Sequence, residues 1–149
     1  MEYNENHFMK SANKKAMGMW LAIGIVISVA YVFEILKELK SVSFYIILEL
    51  LCWGPFLAGL VVLKVKGWHT KLYQVVLAVG YCLFYTYIMM TAPGTLAFTY
   101  ILPISCIIVI YKNKKLMVGV GSATIAILIF AIIRNYFNGM NTASDISNF

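Results

Sequence analysis

Chemistry in this chain could start at Glu49. It is a single carboxylate inside an apolar run, SFYIILELLCWGPFLAGLVVL, from Ser43 to Leu63. Tyr45, Glu49, Trp53 and Phe56 recur at spacings of four, four and three, so on a helix they share one face. An acid at the centre of a bilayer costs about 2.5–3.5 kcal/mol, and less towards the interface. Glu49 lies about 9 Å from the near end of its run at 1.5 Å per residue, which is shallower than the centre. A carboxylate beside aromatic faces suits a cationic or amphipathic ligand. The outer halves of the third and fourth apolar segments bring Tyr85, Tyr87, Phe98 and Tyr100 to a similar depth. The expected ligand-binding set is therefore Glu49, Trp53, Tyr45, Tyr85 and Tyr100 in a small outward-facing pocket. The competing expectation is a protonated or tyrosine-bonded Glu49 that only packs the bundle.

Other chemistry has little to stand on. Cys52, Cys82 and Cys106 lie in apolar runs without CxxC or Cys/His spacing, and are expected as small packing residues. His7 and His69 have no ligand partner at helical spacing, so no metal site is expected. There is no Ser/His/Asp set, HExxH or phosphate-cradling glycine loop, so neither an enzyme nor a cofactor is expected. Glu49 has no second intramembrane acid or histidine to pass a proton to. Gly54-Pro55 and Pro103 should bend their helices.

The elements that must position Glu49 are set by composition. Of 149 residues, 62% are hydrophobic and 12% charged. Soluble domains run at about 45–50% apolar and about 25% charged. The surplus must face lipid, so the fold class is an all-α polytopic membrane bundle. A net charge of +6 in a soluble chain would suggest nucleic acid. Here the lysines sit in short loops between apolar runs, which points instead to membrane orientation and anionic head groups.

In chain order, residues 1–15 read as a polar cytoplasmic tail. Five transmembrane helices follow within residues 16–133: Ala16–Leu36, Ser43–Leu63, Leu72 to about Thr91, about Leu96 to Tyr111, and Leu116–Ile133. The fourth is short and carries Pro103. Ala92-Pro93-Gly94-Thr95 suits a tight turn. Glu34 and Lys37 can pair on one face. Gly18/Ala22 and Ser122/Ala126 are small-xxx-small pairs, expected as packing contacts. Residues 134–149 read as an extracytoplasmic tail leading to a missing sixth helix.

Orientation follows from the basic residues. With the N-terminus inside, the inner segments hold Lys10, Lys14, Lys15, Lys64, Lys66, Lys71, Lys112, Lys114 and Lys115. The outer ones hold Lys37, Lys40 and Arg134. The positive-inside rule then puts the N-terminus in the cytoplasm.

The strings AMGMWLAIGIVISVAYVFEILK, LELLCWGPFLAGLVVLKVKG, FTYILPIS, IYKNKKL and YFNGMNTASDISNF resemble the N-terminal membrane region of clostridial-type methyl-accepting chemotaxis proteins. The likeness runs from about Asn13 onward and lies in a pattern of spans and loops. It implies a sensory or anchoring input module in a bacterial inner membrane, signalling by helix repacking as a homo-oligomer. It further implies a chemotaxis kinase and coupling protein as partners, reached only through a cytoplasmic signalling hairpin that these residues do not contain. Two other functions fit the spans: the membrane input domain of a histidine kinase or cyclic-nucleotide enzyme, and a small transporter subunit.

Overall fold

The computed structural model describes residues 2–37, 41–91 and 101–137. These form five α-helices: α1 Glu2–Leu36, α2 Val42–Lys66, α3 Leu72–Thr91, α4 Ile101–Ile110 and α5 Lys114–Phe137. Four of them, all but α4, are long and apolar enough to cross a membrane. The chain is thus an all-helical, multi-pass membrane protein.

α2 shows how local sequence sets an element's ends. The Ser41 side chain accepts from the Phe44 N–H at 3.2 Å and caps the first turn. At the far end Gly67 takes φ 84°, a left-handed conformation that a side chain would resist, and its N–H donates to the Leu63 carbonyl at 3.0 Å. Pro55 interrupts the middle of the helix. The Trp20 indole N–H of α1 donates to the Cys52 carbonyl, three residues before Pro55, at 3.0 Å. A neighbouring helix thus supplies a polar partner beside the proline, as a backbone in lipid requires.

The core is built around α3. It buries Tyr73, Leu77, Tyr81, Phe84, Tyr85 and Ile88, and more than half of its apolar stretch is covered. α2 turns Phe44, Leu48, Cys52, Phe56, Gly59 and Leu63 inward at spacings of three and four. The two helices meet closely where Pro55 lies against Gly80, with no room there for a Cβ. α5 packs on α3 but has only 6% of its apolar stretch buried. The outward residues of every helix remain apolar, among them Val26, Leu50, Val61, Val79 and Ile125. That is the surface expected to face hydrocarbon rather than water.

Successive helices reverse direction, which collects three segments at one end. There the Asn13 amide donates to the Trp68 and Thr70 carbonyls at 2.8 and 3.0 Å. Glu5 pairs with Lys71 at 2.6 Å, Lys14 lies 5.8 Å from the Trp68 ring centre, and Lys112 lies 5.9 Å from that of Phe8. All nine lysines assigned to the inner segments are exposed. At the opposite end Arg134 donates to the Met90 carbonyl at 2.8 Å and ties α5 to α3.

Several expectations need correction. Residues 2–15, expected as a tail, are helical and run without a break into the first span as α1, a helix of 35 residues or about 52 Å. Met9, Ala12, Asn13, Ala16 and Trp20 form a buried stripe at helical spacing that continues the first span. Of the expected fourth span, residues 101–110 are helical as α4. Leu96 to Tyr100, the Ala92–Thr95 turn and the 138–149 tail lie outside the described residues. So do the Glu34 side chain and Lys40. Gly18, Ala22, Ser122 and Ala126 are exposed, and Cys106 is exposed rather than packed inside.

Candidate functional site

The site is a notch on the seam between α1 and α2. Glu49 enters it from the second turn of α2, about 10 Å along the helix from Val42. One turn further on, the Trp53 indole N–H donates to Glu49 Oε2 at 2.7 Å. Across the seam, the Ser28 hydroxyl of α1 donates to the same oxygen at 3.0 Å. The Trp53 N–H also reaches the Ser28 oxygen at 3.2 Å, so the three groups close a ring. Gly24, one turn before Ser28, leaves room for the edge of the Trp53 ring. On its other side Trp53 meets Phe56 edge-on, with ring centres 5.6 Å apart.

The second oxygen of Glu49 is different. Oε1 is buried and has no hydrogen-bond partner. The Tyr45 hydroxyl, one turn earlier, also interacts with the Glu49 carboxyl, though outside close hydrogen-bond geometry to Oε1. Among the described residues no cation forms an ion pair with Glu49. An ionised carboxylate held this way has two donors on one oxygen and no counter-charge, an expensive state in a medium of low dielectric.

Three of the five expected site residues are therefore brought together: Tyr45, Glu49 and Trp53. Tyr85 is not with them. It is fully buried on α3, stacked on Tyr81 at 5.6 Å between ring centres, and its hydroxyl has no partner. The reason is helix phase. α2 points Leu48 and Cys52 at the core, and Glu49 and Trp53, one position on, turn towards α1. The Tyr87 hydroxyl instead reaches the Phe44 carbonyl at 3.3 Å. Phe98 and Tyr100 lie outside the described residues. Among the described residues, the partner that joins Glu49 and Trp53 from another helix is Ser28. A signal for Ser28 existed. It lies eight residues before Leu36, and Glu49 lies seven after Val42, so a helical hairpin sets them at matching depth.

Ile25, Val29, Ile46 and Leu50 flank the seam and are exposed, while Ser28, Tyr45, Glu49 and Trp53 are half-buried. The cluster therefore lies beneath an apolar, exposed rim on this seam. A second concavity, about 340 Å³, lies between α4 and α5 and is lined by Ile108, Val109, Met117, Val120, Gly121 and Thr124 among others. Its one polar side chain is committed, since the Thr124 hydroxyl donates to the Val120 carbonyl and can accept from the Tyr81 hydroxyl. It offers a shape and no recognition chemistry. Outside the spans, burial and the nearby Tyr73 push the Tyr111 hydroxyl well above the usual tyrosine range. Among the described residues no three His, Cys, Asp or Glu side chains gather as a metal site. No protein-family model, no curated protein and no solved structure matches this chain.

Proposed function

We propose that this chain is the membrane-spanning input module of a bacterial chemotaxis receptor, acting by a shift in helix packing and not by catalysis. The observation that carries the reading is the contrast between two helix pairs. α2 and α3 interlock through Pro55 and Gly80 with no space to spare. α1 and α2 meet through a small polar ring whose carboxyl is only half satisfied. A ligand shifts a two-state packing only by binding one state better, and an incompletely paired seam is where such a difference can arise. The nine exposed lysines at one end support an orientation with the N-terminus and both basic loops in the cytoplasm of a cell-membrane protein. Oligomerisation, and output to a chemotaxis kinase and its coupling protein through a cytoplasmic domain outside these residues, complete the proposal.

The test is capture of the gene's natural polypeptide from native membranes after mild crosslinking. Kinase and coupling protein should co-purify, and deletion of the gene should abolish the swimming response to at least one stimulus. Recovery without either partner, together with unchanged swimming, would turn the assignment towards another class of signalling or transport protein.

A further inference from the structure

We propose that the groove between α4 and α5 holds one acyl chain of an anionic phospholipid whose head group is taken by Lys114 and Lys115. The site is separate from the Glu49 cluster, and the receptor reading does not depend on it. The groove encloses about 340 Å³ and is lined by Ile108 and Val109 of α4 and by Met117, Gly121, Thr124 and Leu128 of α5, among others. The Thr124 hydroxyl is already engaged with the Val120 carbonyl and Tyr81, so the lining itself suits only an apolar occupant. Its length narrows the choice. From Met117 to Leu128 is about 16 Å at 1.5 Å per residue, about half of a hydrocarbon core of about 30 Å. That is the depth of one leaflet. The groove therefore matches a single lipid chain better than a helix that crosses the whole core.

Charge at the end of the groove selects the head group. Lys114 lies three residues before Met117 and seven before Gly121, so it stands on the groove face of α5, one turn beyond the lining. Side chains on a helix lean towards its N-terminus, so the lysine stem points away from hydrocarbon and carries its ammonium to head-group depth. Lys115 is beside it, and both are exposed. The first turn of α5 has no acidic residue, and among the described residues neither lysine forms an ion pair. Lys112 is set apart over the Phe8 ring. Two cations thus stand without a counter-charge at the end of an apolar groove. A lipid phosphate with its chain in the groove answers both features. A second copy of this chain fits less well. Inserted in the same direction, it would bring its own Lys114 and Lys115 to the same depth and set like charges together.

The test uses the full chain in a mild non-ionic detergent, with native mass spectrometry after addition of phosphatidylglycerol or phosphatidylcholine of identical acyl chains. Phosphatidylglycerol should be retained about tenfold more strongly, as two lysines near an anionic head group imply. K114Q/K115Q should bring it down to the phosphatidylcholine level. K64Q/K66Q removes as much charge from the same end and should leave the preference in place. G121L should reduce retention of both lipids. Nothing lies within 4 Å of a Cβ at Gly121, so the new side chain enters the groove without displacing the backbone. Equal retention of the two lipids would overturn the proposal, and so would equal losses in the two lysine pairs, which would mean a diffuse basic surface. A dimer that G121L dissolves would give the face to a second copy. Unaltered lipid retention in a G121L protein that melts at lower temperature would give the groove to the chain itself. Either result also overturns the proposal.

Discussion

Among the described residues a few buried side-chain polar atoms stand without a hydrogen-bond partner, and these make the sharper predictions. Tyr73, Tyr85 and Tyr111 are each almost fully buried with a partnerless hydroxyl. An unsatisfied buried donor costs about 1–3 kcal/mol, so removing the oxygen while keeping the ring should help. Tyr111→Phe should raise the thermal midpoint of the purified protein. It should also blunt alkaline unfolding. Burial holds the folded-state pKa of Tyr111 above its ordinary 10.0. The group therefore adds nothing to the pH dependence below about 10, and stability falls as pH rises beyond it because the unfolded chain ionises first. A lower midpoint in Tyr111→Phe, or an unchanged alkaline limb, would mean that the hydroxyl has a partner. Asn13 is a mixed case, with Oδ1 buried and unpartnered but the amide nitrogen fully used. Its amide holds two loop carbonyls, so Asn13→Ala should cost about 1–3 kcal/mol and expose the 67–71 loop to protease. Protease resistance equal to that of the parent would show that Glu5–Lys71 and Lys14–Trp68 hold the loop without it.

Helices pack in this bundle by close approach at a few points, and glycines test that element by element. At Gly80 an added Cβ would overlap the Pro55 ring, and at Gly59 the Tyr73 ring. At Gly119 on α5 nothing lies within 4 Å. Gly80→Ala should therefore destabilise by about 1–3 kcal/mol through overpacking, whereas Gly119→Ala should be neutral or mildly stabilising through helix propensity. Denaturation in mild detergent followed by circular dichroism distinguishes the two. Similar losses for both would mean that α5 has a packing partner on its open side. The long α1 makes a related point. The polar letters of residues 4–15 hide a stripe of Met9, Ala12, Asn13 and Ala16, and the packing of that stripe turns a stretch that reads as tail into helix.

For the whole molecule, topology is decided by how loops are shared between two faces. Three loop or end segments carrying Lys14, Lys71 and Lys112 meet at one end through contacts with Trp68, Glu5 and Phe8. Lys37 and Arg134 belong to the other end. If the basic end faces the cytoplasm, a cysteine placed at Lys66 should react with an impermeant maleimide only after the cells are opened. One placed at Lys37 should react in intact cells. The reverse pattern would invert the protein in the membrane and with it the side from which the notch is nearer to water. Native thiols contribute little background, because Cys52 is buried and Cys82 is half-buried, and Cys106 can be replaced by Ser.

Hydrophobic run length and lysine spacing alone determined a great deal. The 72–91 helix, the membrane class and the gathering of lysines on one side all follow from composition and period, because lipid permits few backbone solutions. Tyr45, Glu49 and Trp53 could be placed on one face for the same reason, since 3.6 residues per turn is a property of the helix and not of its neighbours. What those residues face could not be read that way. Whether Glu49 turns towards the aromatics of α3 or the hydroxyl of Ser28 depends on the rotation of α2 about its own axis. That rotation is set by the contact of Pro55 with Gly80 and of Tyr73 with Gly59. These contacts join residues distant in sequence, and no local periodicity encodes them. The tertiary structure alone therefore decided that the carboxyl meets α1 and that one of its oxygens is enclosed without a close partner.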